Sequence, residues 1–359
     1  MRQSLSALGA SNHTLELVAK AHRPGTQSVY ASHWKSWLAW CEGRNINALQ
    51  PLEMDIANYL ASLSAIRSLS ASSISTHRAA ISSTLRQLGG PSFSEAPLLR
   101  SVIRGAAFAD ASCKKRVPAW DLFLVLSSLR EPPYEPLRYC SIKDLTLKTA
   151  FLVTLASGRR CSEVHSLSGL RKDVSKEPHG AISLRFLPEF IAKNQRPEDP
   201  SPSILLRSLS HLPDDDPDRK LCPVRALRTY RKRTEPFRRT RRRLLLSHNQ
   251  GYDKDISKSS VSRWLSTVIH TVYKSSNAEQ PAPSTRAHEI RAWSASLAFA
   301  CTKSLKEVLD AAYWKSEDTF IRFYLRDVSR LNEEGARGIA SAVVAQHPIT
   351  ASRSLHARR

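Results

Sequence analysis

Residues 288–324 read HEIRAWSASLAFACTKSLKEVLDAAYWKSEDTFIRFY, and the fold of the chain is decided by how this stretch is read. It opens with His288 and Arg291 inside a run of helical periodicity. Residues three apart share a helical face, so both side chains can reach one target. It closes on Tyr324, set among aromatic and basic neighbours and preceded by Trp314. A cationic clamp, a proton handler and a phenolic nucleophile are what chemistry on a phosphate requires. The same residues also suit an ordinary all-α domain, with a surface His-Arg pair on one helix and a core tyrosine on the next. The remaining chain has to separate the two.

The charge narrows the choice of partner. With 54 Lys+Arg against 32 Asp+Glu, the 359 residues carry a formal net charge of +22, a long-range positive potential for which nucleic acid is the commonest partner. A basic surface that only resists aggregation, or one that meets anionic membranes, is the competing reading. Hydrophobic residues make up 41% of the chain, enough for packed cores in two domains of ordinary size. The six cysteines are scattered, with no Cys-x-x-Cys and no Cys/His ligand spacing, so neither a zinc site nor a disulfide framework is expected. No apolar run is long enough to span a membrane and no secretory leader is evident, so a soluble intracellular protein is expected.

Outward from the opening stretch, the first 24 residues are polar with a weak amphipathic signal. Four helices are then predicted, near 26–43, 52–64, 72–88 and 95–108. Trp34 and Trp37 read as core. His77, Arg78 and Arg86 fall on the outer side of the third helix, where Arg78 is a candidate DNA contact, and Arg100 and Arg104 on that of the fourth. Together, residues 25–108 read as a helical domain with basic faces, for which a solvated surface is the plain alternative. Residues 109–118, ADASCKKRVP, read as a basic linker in which Lys114, Lys115 and Arg116 could lie along a DNA backbone.

Helical patterns resume at 119–129 and 145–156. They are followed by ASGRRCSEVHSL (156–167), where Gly158 ends one helix and Arg160 opens the next with Glu163 on its face. A carboxylate that orients an arginine suits a rigid phosphate clamp, and equally a structural salt bridge. Residues 180–206 change period to alternation, predicting a small β-sheet whose hairpin carries Lys193. Pro223 begins another helix. The run RKRTEPFRRTRRR (231–243) could contact phosphates or act as a nuclear-import signal. A short LLLSH strand and a helix over 258–273 precede the His288 helix.

Taken in order, these elements resemble the tyrosine recombinase (phage integrase) family. ASGRRCSEVHSL is similar to the family's first arginine box and places its catalytic arginine on Arg160 and its supporting acid on Glu163. FIAKNQ puts the hairpin lysine on Lys193. HEIRAWSAS matches the His-x-x-Arg box at His288 and Arg291, and AAYWKSEDTFIRFY the closing box, with Tyr324 as nucleophile. Trp314 stands where most members have His; its indole donates one hydrogen bond but exchanges no proton, so acid–base work would fall on Lys193 and His288. The wording of LCPVRALRTY and WKSEDTFIRFYLRDV resembles recombinases of eukaryotic mobile elements of the DIRS and Crypton kinds.

The resemblance implies a mainly α fold with a small antiparallel β-sheet in the catalytic domain, arranged as a two-domain DNA clamp. The core-binding domain would span 25–108, the catalytic domain 119–330 and a C-terminal tail 331–359. It implies attack of Tyr324 on a DNA phosphodiester, a 3′-phosphotyrosine, and reversal by a second strand's 5′-hydroxyl. Arg160 and Arg291 would bind the charge gathering on the phosphate oxygens, and no cofactor or metal is expected. The expected partner is double-stranded DNA, bound by a homo-tetramer assembled from monomers or dimers, with no membrane. A nuclear location follows if the host is eukaryotic, and a cytoplasmic one otherwise. Two other functions share these residues: a type IB topoisomerase-like strand nickase, and a domesticated DNA-binding protein without catalysis.

Overall fold

The computed structural model describes residues 5–6, 9–21, 23–66, 68–109, 120–193, 195, 199, 203–238, 241–248, 255–276, 287–302, 304–312 and 317–325. Lys114, Lys115 and Arg116 of the predicted linker, Trp314 of the closing box, and the tail 331–359 lie outside the described residues. The chain divides into two compact units, Met1–Lys114 and Lys115–Arg359.

The first unit holds α1 (Asn12–Lys20), α2 (Pro24–Glu42), α3 (Glu53–Ala65), α4 (Ala71–Gln87) and α5 (Pro97–Ala109). Helices α3 and α4 start where the sequence offers a side-chain acceptor for an amide at the helix head. Ser70 Oγ accepts from the Ser73 N–H at 3.3 Å ahead of α4, and Asp55 Oδ2 accepts from the Leu52 N–H at 2.9 Å at the head of α3. Trp34 and Trp37 are buried with Ile56, Leu60, Ile74 and Leu85, which makes them core. His77, expected on the outer side of α4, is buried instead: Nδ1 lies 2.9 Å from the Tyr59 hydroxyl and the ring stacks on His33. The periodicity allowed this placement. A polar ring can enter a core when a phenol is positioned to satisfy it.

The second unit is built around α7 (Ile142–Ser157). Every residue from Leu145 to Ser157 is buried, as expected of a helix covered on all sides. Helices α9 (Pro223–Thr234), α10 (Lys258–Ser275) and α11 (His288–Thr302) and strand β3 (Ser203–Leu206) pack on it. The remaining elements are α6 (Leu122–Leu129), α8 (Cys161–His165), β1 (Val174–Lys176), β2 (Ile182–Arg185), α12 (Leu305–Ala312) and α13 (Glu317–Phe323). The sheet order is β1-β2-β3, antiparallel throughout, with Ile182 opposite Leu206 and Leu184 opposite Ile204. Ile182 and Leu184 face inward while Ser183 and Arg185 do not, the period-2 pattern of a half-covered sheet. The LLLSH segment is no strand. Leu244, Leu245 and Leu246 are buried, but the segment is anchored by the Ser168–Arg243 bridge and the Leu244 N–H bond to Leu167 O, not by a ladder.

One buried ion cluster was not foreseen in the sequence. Lys148, midway along α7 and wholly buried, donates to Glu135 Oε1 at 2.5 Å and to Leu129 O at 2.6 Å. Arg225 of α9 grips the same carboxylate through both oxygens, at 2.6 and 3.0 Å. Burial opposes ionisation of Glu135, but hydrogen bonds from Arg225 and Lys148 outweigh it and hold the carboxyl below its usual 4.5. A carboxyl whose pKa falls on folding contributes stability that is present above the unfolded value and lost as pH drops through the folded one. Glu135→Gln should therefore destabilise this unit by about 3–5 kcal/mol at neutral pH, since two cations lose their shared partner. It should also remove part of the wild-type loss of stability below pH 4.5, and urea melts of both proteins across that range measure the two effects together.

Candidate active site

Three separate stretches of chain converge at one place in the second unit. The first is the α7–α8 turn. Gly158 caps α7 with φ +59, a conformation that side chains resist, and a Cβ there would lie 2.9 Å from Ser294 Oγ. Glycine thus lets α11 press against the end of α7. Arg160 is the N-cap of α8, and Glu163 Oε2 accepts its backbone N–H at 3.0 Å. The other oxygen of Glu163 takes Arg160 Nη1 at 2.9 Å. One buried carboxylate therefore fixes both the backbone and the guanidinium of Arg160.

Helix α11 supplies the second stretch. His288 is its first residue and is exposed, while Arg291, one turn on, is only 1% exposed. Arg291 Nη1 lies 3.8 Å from Glu163 Oε2, so the same acid faces two guanidinium groups. Burial above all, and then the neighbouring Arg160, push the Arg291 guanidinium down to about 10. It stays charged at neutral pH in a setting that disfavours its charge.

Tyr324 follows α13 and is half-buried. The Arg291 Cζ is 5.5 Å from its ring centroid, a cation–π contact. Its carbonyl accepts from Ser296 Oγ at 3.1 Å, and Ser296 sits on α11 beyond Arg291. The nucleophile candidate is thereby tied to the helix that carries the second arginine.

The other expected site residues fall as follows. Lys193 is exposed in the long connection between β2 and β3, and no hydrogen bond or ion pair joins it to this cluster among the described residues. Arg78 is half-buried on α4 in the first unit. The basic run 231–243 is largely spent inside the unit. Arg233 Nη1 donates to the carbonyls of Leu137 and Cys140 at 2.9 and 2.6 Å, Arg238 Nη2 to Leu244 O at 2.8 Å, and Arg243 Nη1 to His165 O at 3.0 Å. Reading the sequence missed Ser296, whose signal was only a small residue in a helical run. It also missed that Arg159 is buried beside the site, close enough for its charge to act on Arg291. No group of three or more His, Cys, Asp or Glu suited to a metal occurs among the described residues.

No protein-family model matches the chain, and no curated protein matches its sequence. Solved structures do match its shape. The XerH site-specific recombinase bound to difH substrate in a pre-cleavage complex is 14% identical, with 77% of this chain and 68% of that one covered at a TM-score of 0.50. The same recombinase on palindromic difH, in a post-cleavage complex, is 13% identical, with 80% and 69% covered and a TM-score of 0.50. A lambda integrase(75–356) dimer bound to a COC′ core site is 15% identical over 92% and 94% of the two chains, with a TM-score of 0.49. The XerH likeness shows the fold. It is the mainly helical fold with a small antiparallel sheet that the sequence predicted, and the matched structures are tyrosine recombinases.

Glu163 neutralises part of a site that otherwise gathers positive charge. Glu163→Gln keeps its shape and removes its charge, so it should have two opposite effects. Stability of the unit should fall by about 3 kcal/mol, because buried cations lose a counter-charge. Affinity for a divalent oxyanion such as sulfate should rise severalfold, because less of the field is cancelled within the protein. Thermal melts with and without sulfate read both.

Proposed function

We propose that the chain is a site-specific DNA recombinase that cleaves and rejoins DNA through a 3′-phosphotyrosine at Tyr324. The observation that carries this reading is the meeting of Arg160, Glu163, Arg291 and Tyr324, drawn from three stretches of sequence, around one buried carboxylate. Two guanidinium groups held this close are destabilised until an anion arrives, and a phosphodiester entering transition-state geometry gains the charge they lack. Support also comes from the fold, which is shared with a recombinase solved on its DNA substrate before and after cleavage.

In the proposed reaction the Tyr324 oxygen attacks phosphorus, the P–O5′ bond breaks and the 5′-hydroxyl leaves. His288, at the exposed end of the Arg291 helix, receives the phenolic proton or positions the phosphate. Lys193 closes in on its connection and protonates the leaving oxygen. Attack by a 5′-hydroxyl of a second strand returns the bond, so no nucleotide energy source enters. Trp314 would donate to a phosphate oxygen. We assign the chain further to a mobile element of the DIRS or Crypton kind, acting in the nucleus as a homo-tetramer on two duplexes. This assignment rests on the wording of its motifs.

Protein-linked DNA ends should be recoverable from cells expressing the wild-type chain and absent with Tyr324→Phe, while duplex binding is retained. Arg160→Ala and Arg291→Ala should each lower cleavage by about 100-fold or more in protein that still binds DNA. A covalent adduct on Tyr324→Phe would sink the nucleophile assignment, and near-normal cleavage by either arginine variant would remove that arginine from the site.

A further inference from the structure

Helix α4 of the first unit carries a second concentration of unused polar groups. Arg78, Ser82 and Arg86 recur every fourth residue, so they form one stripe, with the two arginines about 12 Å apart along the axis and Ser82 between them. No Asp or Glu occurs in the helix, and neither arginine pairs with a carboxylate among the described residues. The nearby acid, Glu95, is engaged by Arg100. Beyond the helix, Gly89 takes φ +77 and the Gly90 N–H returns to Leu85 O at 2.9 Å, which turns the chain back toward α4. This return places Ser92 and Ser94, whose hydroxyls lie 3.1 Å apart, beside the stripe. The result is a notch of about 180 Å³ lined by Arg78, Ser82, Ser83, Arg86, Ser92 and Ser94.

Ser82 distinguishes this notch from a merely solvated basic face. It is 7% exposed, yet its hydroxyl has no hydrogen-bond partner among the described residues. A buried hydroxyl left in that state opposes folding. Two uncompensated guanidinium groups, a ring of hydroxyl donors and no acceptor charge make a receptor for an oxyanion the size of one phosphate. We propose that this notch seats a phosphodiester of the DNA backbone, with Ser82 donating to a phosphate oxygen and Arg78 and Arg86 flanking it. A contact of this type fixes position on the duplex without reading sequence. The proposal rests on the reading of the chain as a protein that acts on DNA.

The test uses the full chain and a short duplex of arbitrary sequence, with affinity followed by fluorescence anisotropy between about 50 and 200 mM NaCl. Each lost phosphate contact removes about one from the slope of log K against log salt. The Arg78→Gln/Arg86→Gln variant, which gives up the one phosphate seated between them, should lose about one from that slope, and Arg86→Gln alone, at an exposed position, should lose part of that amount. Ser82→Ala should weaken binding severalfold with the slope unchanged, and its melting midpoint should equal or exceed the wild type's. That combination is one a purely structural serine would not give. Both signatures are required. Wild-type slope in the arginine variants, or wild-type affinity in Ser82→Ala, overturns the notch. If inorganic phosphate binds through these residues while duplex affinity is unmoved by the substitutions, the notch serves free anion and the proposal fails. Failure of the wild-type chain to bind any duplex removes the recombinase reading as well. Duplex binding and Tyr324 adducts in variants of unchanged slope remove only the notch.

Discussion

The second unit depends on one buried carboxylate. Glu163 is 1% exposed, and a charge so placed is tolerable only where opposite charge and hydrogen-bond donors surround it. It finds the backbone N–H and guanidinium of its own helix start and, across the unit, the guanidinium of Arg291. Satisfying this acid therefore demands that α8 and α11, more than a hundred residues apart in sequence, sit at a fixed separation. Gly158 makes the separation possible by offering no side chain to Ser294. The same arrangement leaves an excess of positive charge, because one carboxylate faces two guanidinium groups, with Arg159 adding its field to theirs. Structural and chemical roles are here one arrangement: the acid that holds the helices together determines how much positive field is left over for a ligand.

Glu135 repeats this device away from the site, and the contrast is informative. There too a carboxylate takes two cations, Lys148 and Arg225, and a backbone N–H, that of Leu137, but both cations hydrogen-bond it directly, and Lys148 donates to Leu129 O besides. The cluster is closed, with both carboxylate oxygens engaged and its lysine sealed within α7. At Glu163 the second arginine stands at 3.8 Å, outside hydrogen-bond reach, and beside a phenol ring. Geometry of that kind is looser than a structural triad needs and suits an arginine whose donors are to serve a ligand.

How far the sequence carried depended on the kind of constraint. Helix positions were legible because burial imposes a 3.6-residue period, and α2 through α5 and α9 through α11 start and stop near caps, Gly or Pro that can be read directly. Glu163 was legible beside Arg160 because its spacing, three residues on, is a local rule. Its reach to Arg291 was not, since nothing local connects residues 163 and 291. His77 shows the limit from the other side: its polarity argued for solvent, and only the three-dimensional position of Tyr59 brings it inside. Nor could the internal use of part of the basic run 231–243 be read from the sequence. Arginine is long enough to cap distant carbonyls, and Arg233, Arg238 and Arg243 do so.

That last point alters what the net charge of +22 means. Formal charge counts every arginine alike, yet the half-buried Arg233, Arg238 and Arg243 are bonded to carbonyls that tie the end of α9 to its neighbours, and those donors are already committed. A committed guanidinium still contributes to the long-range positive field, but it cannot form a directed contact with an anion. Directed contacts must come from arginines whose donors remain unspent, and their number is far smaller than 54 Lys+Arg suggests. On α4 the stripe of Arg78 and Arg86 has no acid on its own helix and no carboxylate partner among the described residues, and at its centre is a hydroxyl buried without a partner. Attraction and directed contact therefore fall to different arginines of the same chain: the many set the potential, and the few that the fold leaves uncommitted are the ones able to grip an anion.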